Sequence, residues 1–311
     1  MTLIISKEQD GMTVLNILRS VVGLSGGMIR HIKFLNDGII LNSERVSVRR
    51  VVHTGDILEL NTSDNNCSSN IEGFDLPLGI IYEDEDIVIP DKPPFMPTHP
   101  SHNHHNDTVA NALAFRYTKA GEPFVFRPVN RLDRNTSGLL IIARNRTAAG
   151  RLSRSMLEGG IHKKYIAVLD GVLKDNEGTI ETYMRRTAES VIVREVCAKE
   201  QDADYALTKY KVLLRSDKNT VVLAEPITGR THQLRVHFAS LGAPITGDDL
   251  YGLPSPHIER HALHAANISL PHPTTKEQMS FFAPLHKDME LLVKKLFPNK
   301  DLKNEIEDKI R

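Results

Sequence analysis

The sequence predicts an α+β protein made of a small N-terminal domain and a large second one, and three observations carry that prediction. Residues 61–75 are polar, rich in turn formers and almost free of apolar side chains, which marks a linker between two folding units. Beyond it, runs with strand character alternate with helical periodicity, and residues 205–214 and 220–225, separated by Ser216-Asp217-Lys218-Asn219, read as a hairpin; hairpins impose antiparallel pairing. There is no internal repeat and no glycine fingerprint of a dinucleotide or phosphate loop, so solenoid and Rossmann architectures are set aside. With 311 residues, 40% of them hydrophobic, the chain can bury a full-sized core.

In the small domain, Thr13 can cap a helix that carries Val14, Ile17, Leu18 and Val21 on one face. Ser25 can cap a second, whose Met28, Ile29, Ile32 and Leu35 repeat at helical spacing, and Asn36-Asp37-Gly38 ends it. Short strands are expected at 39–41 and 56–60, with Arg45, Arg49 and Arg50 between them. In the large domain, strands are expected at 78–89, 138–143 and 164–169 besides the hairpin. Helices are expected at 108–117, at 147–157 before Gly159-Gly160, and at 231–241 before Gly242, since glycine accommodates the left-handed residue that closes a helix. The resulting division is 1–62, a linker at 63–76, a large domain at 77–298 and a charged tail at 299–311.

The chain starts Met1-Thr2-Leu3-Ile4-Ile5-Ser6-Lys7, without a basic leader, and no apolar run approaches bilayer length, so a cytoplasmic protein without membrane contact is expected. Cys67 and Cys197 form no paired framework and are read as thiols. Formal net charge is zero, yet residues 127–170 hold nine basic residues against three acidic, a local +6. Compensating acid lies elsewhere, in Glu83-Asp84-Glu85-Asp86 and the 301–308 segment. Such a basic segment suits a polyanionic substrate. Within it lies Arg131-Leu132-Asp133-Arg134-Asn135-Thr136-Ser137-Gly138, one carboxylate between two guanidiniums ahead of the apolar run Leu139-Leu140-Ile141-Ile142-Ala143. Turn chemistry followed by a buried strand is how a reactive Asp would be mounted, and the flanking arginines favour its ionised form.

The small domain resembles the RNA-binding domain named after a ribosomal small-subunit protein, here S-four-like: two helices, then strands, with a Gly55-Asp56 turn. The resemblance implies RNA contacts from the second helix, which offers Arg30, His31 and Lys33; Arg49 and Arg50, between the strands, are further candidate RNA contacts. Charges over residues 1–62 nearly cancel, so this domain is expected to bind RNA weakly. The large domain resembles the catalytic domain of RluA-type pseudouridine synthases over residues 78–286. Four motifs carry the resemblance in order: Ile81-Tyr82-Glu83-Asp84-Glu85-Asp86-Ile87-Val88-Ile89 with Asp91-Lys92-Pro93 and His99-Pro100; Arg131-Leu132-Asp133 through Leu140; Lys163-Lys164-Tyr165-Ile166-Ala167-Val168; and Thr228-Gly229-Arg230-Thr231-His232-Gln233-Leu234-Arg235-Val236-His237 with Gly247-Asp248 and Tyr251-Gly252.

The resemblance implies a mixed, largely antiparallel sheet flanked by helices and loops, and an enzyme that converts uridine in RNA to its C-glycosidic isomer with no cofactor and no metal. It implies Asp133 as the catalytic carboxylate, Arg230 as its ion-pair partner, Tyr165 against the uracil, Arg131 as the residue that fills the space of the flipped nucleotide, and Leu234 against the base or Tyr165. The chain departs from the family at Asn130, where His is usual. Ribosomal RNA is expected ahead of transfer RNA, because S-four-like domains accompany the large-subunit rRNA enzymes; no obligate protein partner is implied, and a monomer is expected. Two other readings compete. An RNA-binding or RNA-folding factor on the same scaffold would lack turnover, and a glycoside hydrolase would need a second carboxylate facing Asp133. His99, His102, His104 and His105 lack a spacing that would converge the rings on a metal, and His261 and His264 are expected to be structural.

Overall fold

The computed structural model describes the whole chain except Ser25, Asn36 and residues 62–70, 200–201, 299, 301–305, 307 and 311. The expected cap at Ser25 and Cys67 therefore lie outside the described residues. In the small domain the strands β1 (Thr2–Ile4), β2 (Ile39–Leu41), β3 (Glu44–Arg45) and β4 (Ile57–Leu60) form an antiparallel sheet in the order β1-β4-β2-β3. Thr13 accepts a hydrogen bond from Asn16 N–H and so caps α1 (Val14–Asn16), which continues as a wider π turn over Ile17–Val21. A second helix, α2 (Gly26–Ile32), stops short of Leu35. Ile17, Leu18, Ile32 and Leu58 are fully buried in a core of this domain's own.

Eleven strands build the large sheet among the described residues. In chain order they are β5 (Gly79–Glu83), β6 (Ile87–Lys92), β7 (Ser137–Leu139), β8 (Ile142–Ala143), β9 (His162–Asp170), β10 (Glu177–Arg186), β11 (Arg194–Cys197), β12 (Asp204–Arg215), β13 (Asn219–Pro226), β14 (Leu263–Pro271) and β15 (Gln278–Phe282). Their order is β11-β10-β12-β13-β9-β14-β7-β6-β5, with β15 on β14 and β8 on β6. Every pairing is antiparallel except β14 with β7, so the protein is α+β with a mixed, largely antiparallel sheet. The helices α3 (Val109–Lys119), α4 (Arg146–Leu157), α5 (Gln233–Ser240), α6 (Lys287–Leu296) and α7 (Asp308–Ile310) complete it.

Several expected elements are revised by local chemistry. The single strand expected at 78–89 is a hairpin, because the Asp84 carboxylate accepts the N–H groups of Asp86 and Ile87 at 2.8 Å and turns the chain. The run at 138–143 divides into β7 and β8, both paired to β6. Helix α5 begins two residues late because His232 takes a left-handed conformation, φ 59°. The linker is shorter than 63–76: Ile71 and Leu76 pack on the large core, and Asn111 Nδ2 donates to Glu72 O at 2.8 Å. Within the expected charged tail, Ile306 and Ile310 are buried in that core, their periodicity having been obscured by the acidic and basic residues around them. The domains meet at Arg151 of α4, which donates to Val22 O at 3.0 Å and to Pro273 O and Thr274 Oγ1.

Candidate active site

Asp133 sits in a loop whose neighbours are pinned one by one. Thr98 Oγ1 bonds both the carbonyl (3.0 Å) and the N–H (3.2 Å) of Leu132. Fully buried Lys92 donates to the carbonyls of Pro93, Met96 and Arg134 at 2.8–3.0 Å. Fully buried Arg260 donates to Asn135 O and Ser137 Oγ, both at 3.0 Å, while two bonds tie it to Asp288. His261 meets Thr136 Oγ1 at 2.8 Å and His264 meets Ser137 Oγ at 2.9 Å. Gly138 then passes so close to β14, at φ 107°, that a Cβ would lie 2.3 Å from Ala265 O. Only glycine permits that approach. Burial, and next the charge of Arg260, push the Lys92 ammonium down to about 7 against the opposing pull of Asp133.

The guanidinium facing Asp133 belongs to Arg235, not to Arg230. Arg235 Nη1 lies 3.6 Å from Asp133 Oδ2, and its Nε and Nη2 form a two-pronged pair with Asp248 at 2.7 Å. Arg230 turns outward: Nε donates to Tyr205 O at 2.9 Å, Nη1 is 3.4 Å from Asp204, and the side chain is 41% exposed. The physical reason is the left-handed His232. With His232 as its N-cap, α5 starts at Gln233, so Arg235 is a buried residue of the helix while Arg230 stays on the loop before it. Asp248 is held below the usual carboxylate range; burial alone would raise it, but the Arg235 bonds outweigh burial.

His232 Nε2 is 3.9 Å from Asp133 Oδ2, and its Nδ1 meets the Tyr251 hydroxyl at 2.8 Å. That hydroxyl also accepts Arg194 N–H at 2.9 Å, so Tyr251 fixes the ring that faces Asp133. Burial, followed by the charges of Arg235 and Arg194, lowers the His232 pKa and outweighs the pull of Asp133.

These groups open onto a cavity of about 390 Å³. Tyr165 and Leu234, 8% and 5% exposed, are part of its wall; Arg131 and Arg230 stand at the rim, and Asn130 and His99 also line it. Burial, then Asp133, raises the Tyr165 phenol, which stays protonated at neutral pH. Asp133 is the only carboxylate among the described lining residues. Asn130 Oδ1 accepts Ile141 N–H at 2.8 Å, so it ties the loop to the break between β7 and β8. The site thus assembles Asp133, Tyr165, Leu234 and Arg131. Arg30, Lys33, Arg49 and Arg50 lie on the small domain, all exposed, and line no part of this cavity. Among the described residues no group of His, Cys, Asp and Glu is placed to hold a metal ion, and no helix is long and apolar enough to cross a membrane.

Sequence reasoning missed Arg235, His232 and Asp248 as site residues. All three stood in quoted motifs, and the three-residue spacing of His232 and Arg235 would place them on one helical face, but which arginine turns inward depends on where the helix begins.

The site thus presents one carboxylate, a buried guanidinium against it and an aromatic wall, on a large, mostly antiparallel sheet. The family model described as RNA pseudouridylate synthase matches residues 86–240. The RNA pseudouridine synthase YjbO of Bacillus subtilis is 36% identical over 88% of this chain and 95% of its own length. The ribosomal large subunit pseudouridine synthase D of Haemophilus influenzae is 35% identical over 72% of each chain. Among solved structures, human RNA pseudouridylate synthase domain containing 1 matches with a TM-score of 0.57 and 28% identity, covering 74% of this chain and 98% of that one. The chain belongs to the RluA-type family of RNA pseudouridine synthases and is an isomerase of uridine in RNA.

Proposed function

We propose that the protein isomerises uridines of large-subunit ribosomal RNA, with Asp133 as the catalytic carboxylate, in the cytoplasm. The observation that carries the role of Asp133 is its position as the sole carboxylate among the described residues of the cavity, paired to Arg235 and facing the wall that holds Tyr165. In the reaction the N1–C1′ bond of uridine breaks, the uracil turns, and a C5–C1′ bond forms while C5 gives up its proton to N1 or solvent. Asp133 either attacks C1′ or removes the C2′ proton. Arg235 faces its carboxylate at 3.6 Å through either route, and Tyr165 supports the detached base. Leu234 packs beside the base, and Arg131 fills the stack that the flipped nucleotide leaves, which offsets part of the few kcal/mol that unstacking costs. One carboxylate is too few for the paired acid and base of a glycoside hydrolase. Ribosomal RNA is favoured because a Haemophilus influenzae relative is named for the large ribosomal subunit.

Asp133→Asn keeps the shape and removes the charge, so pseudouridine formation on bulk RNA should fall by about 10⁴-fold or more with fold and RNA affinity retained. A variant keeping a tenth of the wild-type rate overturns the assignment. Mapping pseudouridine in RNA from cells with and without the protein identifies the target; a change confined to transfer RNA overturns the ribosomal reading.

A further inference from the structure

Lys163 stands two residues before Tyr165 on β9, which puts both side chains on one face of the strand. Both line the cavity. Lys163 is only 9% exposed, yet among the described residues no carboxylate, carbonyl or hydroxyl pairs with its ammonium. Lys92, fully buried, shows how the fold treats a structural lysine: three carbonyls surround it. Lys163 is instead part of the cavity lining, with its nitrogen beside the Gly229 loop, where a Cβ on Gly229 would lie 3.9 Å from it. An ammonium withdrawn from water without a partner is costly, and an anion entering the cavity would compensate it.

We propose that Lys163 is an anion subsite of this cavity that holds a phosphate oxygen of the RNA strand at the target uridine. The inference rests on the RNA reading above. Phosphate is the only anion RNA carries; the uracil carbonyls and ribose hydroxyls are neutral and would leave the charge largely uncompensated. The phosphate is joined to the same ribose whose C1′ or C2′ must meet Asp133, so ribose and phosphate reach the two sides of one pocket together. Arg131 and Arg230 at the rim extend the positive track outward.

The test compares uridine 5′-monophosphate with uridine on the full chain, and measures the salt dependence of oligouridylate binding. In the wild type the monophosphate should bind at least about tenfold tighter, and the ¹⁵N resonance of the Lys163 ammonium should move with the monophosphate and not with uridine. Lys163→Gln should abolish the preference, raise KM on RNA with kcat within about threefold, and flatten the log–log salt slope by about 0.7. Lys163→Arg should restore much of the preference. An unmoved wild-type resonance overturns the proposal without any variant. So does a Lys163→Gln protein of unchanged melting temperature that keeps the monophosphate preference, or one that loses kcat at constant affinity and slope. The binding measurements need no turnover, so a wild type that binds the monophosphate but forms no pseudouridine would sink the isomerase reading and leave the subsite standing.

Discussion

Arg235 grips buried Asp248 with Nε and Nη2 at 2.7 Å and presents Nη1 to Asp133 at 3.6 Å, while the exposed Asp249 lies 3.6 Å from Nη2. Asp248 is wholly buried and is held by that guanidinium together with the N–H groups of Leu250 and Tyr251, and the grip sets where the third nitrogen points. A rigid fork does this; a single ammonium could serve one carboxylate but not both.

Arg235→Ala should therefore lose about 10³-fold or more in kcat, and Arg235→Lys should fall nearly as far. Arg230→Ala should keep kcat within about threefold and lose mainly RNA affinity, since its contacts are Tyr205 O and the exposed Asp204. Single-turnover rates on one RNA decide it. If Arg230→Ala is the inactive variant, the pair seen here is not the one that works.

The pH dependence of stability should reveal His237 and His264, buried without charge and each lowered to about 4, mainly by burial. Between pH 6.5 and 4 the unfolded chain binds protons that the folded chain refuses, so stability rises with pH in that window and is lost on acidification. Each histidine contributes a loss on the order of 3 kcal/mol by pH 4. Urea unfolding from pH 7 to 4 should show this decline before most carboxylates titrate. His237→Gln, which can still bond Thr182 and Thr208, should lessen the slope by one proton; a level profile down to pH 4.5 would contradict the assignment.

Gly138→Ala should be among the most damaging single changes in the protein. The residue is left-handed, and the new methyl would meet the backbone of Ala265, which cannot step aside without breaking the β7–β14 pairing. A loss of at least about 3 kcal/mol, or failure to fold, is expected in chemical denaturation. A variant within 1 kcal/mol of wild type, on the roughly 0.5 kcal/mol scale of ordinary surface changes, would refute it.

The small domain's cations can be tested together. Arg30, Lys33, Arg49 and Arg50 are all exposed, so replacing them with Ala should leave the fold unchanged. If two or three of them meet phosphates, the log–log salt slope of RNA binding should flatten by about 2, with kcat on a short stem-loop preserved. An unchanged slope would mean that RNA does not contact this surface.

Much of the charge that looked like an RNA footprint serves the fold instead. Within residues 127–170, Arg144 holds Glu83 and Glu122, Arg151 joins the two domains and Arg154 pairs with Glu158. Arg131 and Arg134 remain exposed at the loop, and Lys163 is buried in the pocket. Composition reports a sum of charges but not which of them fold consumes.

By itself the sequence determined the α+β class, the loop that carries Asp133, the strand that carries Tyr165 and most helix positions, because turn residues, caps and apolar periodicity are local and readable along the chain. It could not show β14, whose Leu263-His264-Ala265-Ala266-Asn267 opening lacks the alternation of a half-exposed strand because it is buried on both faces. Nor could it choose between Arg230 and Arg235, which one left-handed residue decides. Tertiary structure alone also separated Lys92, surrounded by carbonyls, from Lys163, part of the cavity lining: a side chain's partner is set by what the fold brings to it from distant segments, and that proximity is not written in neighbouring residues.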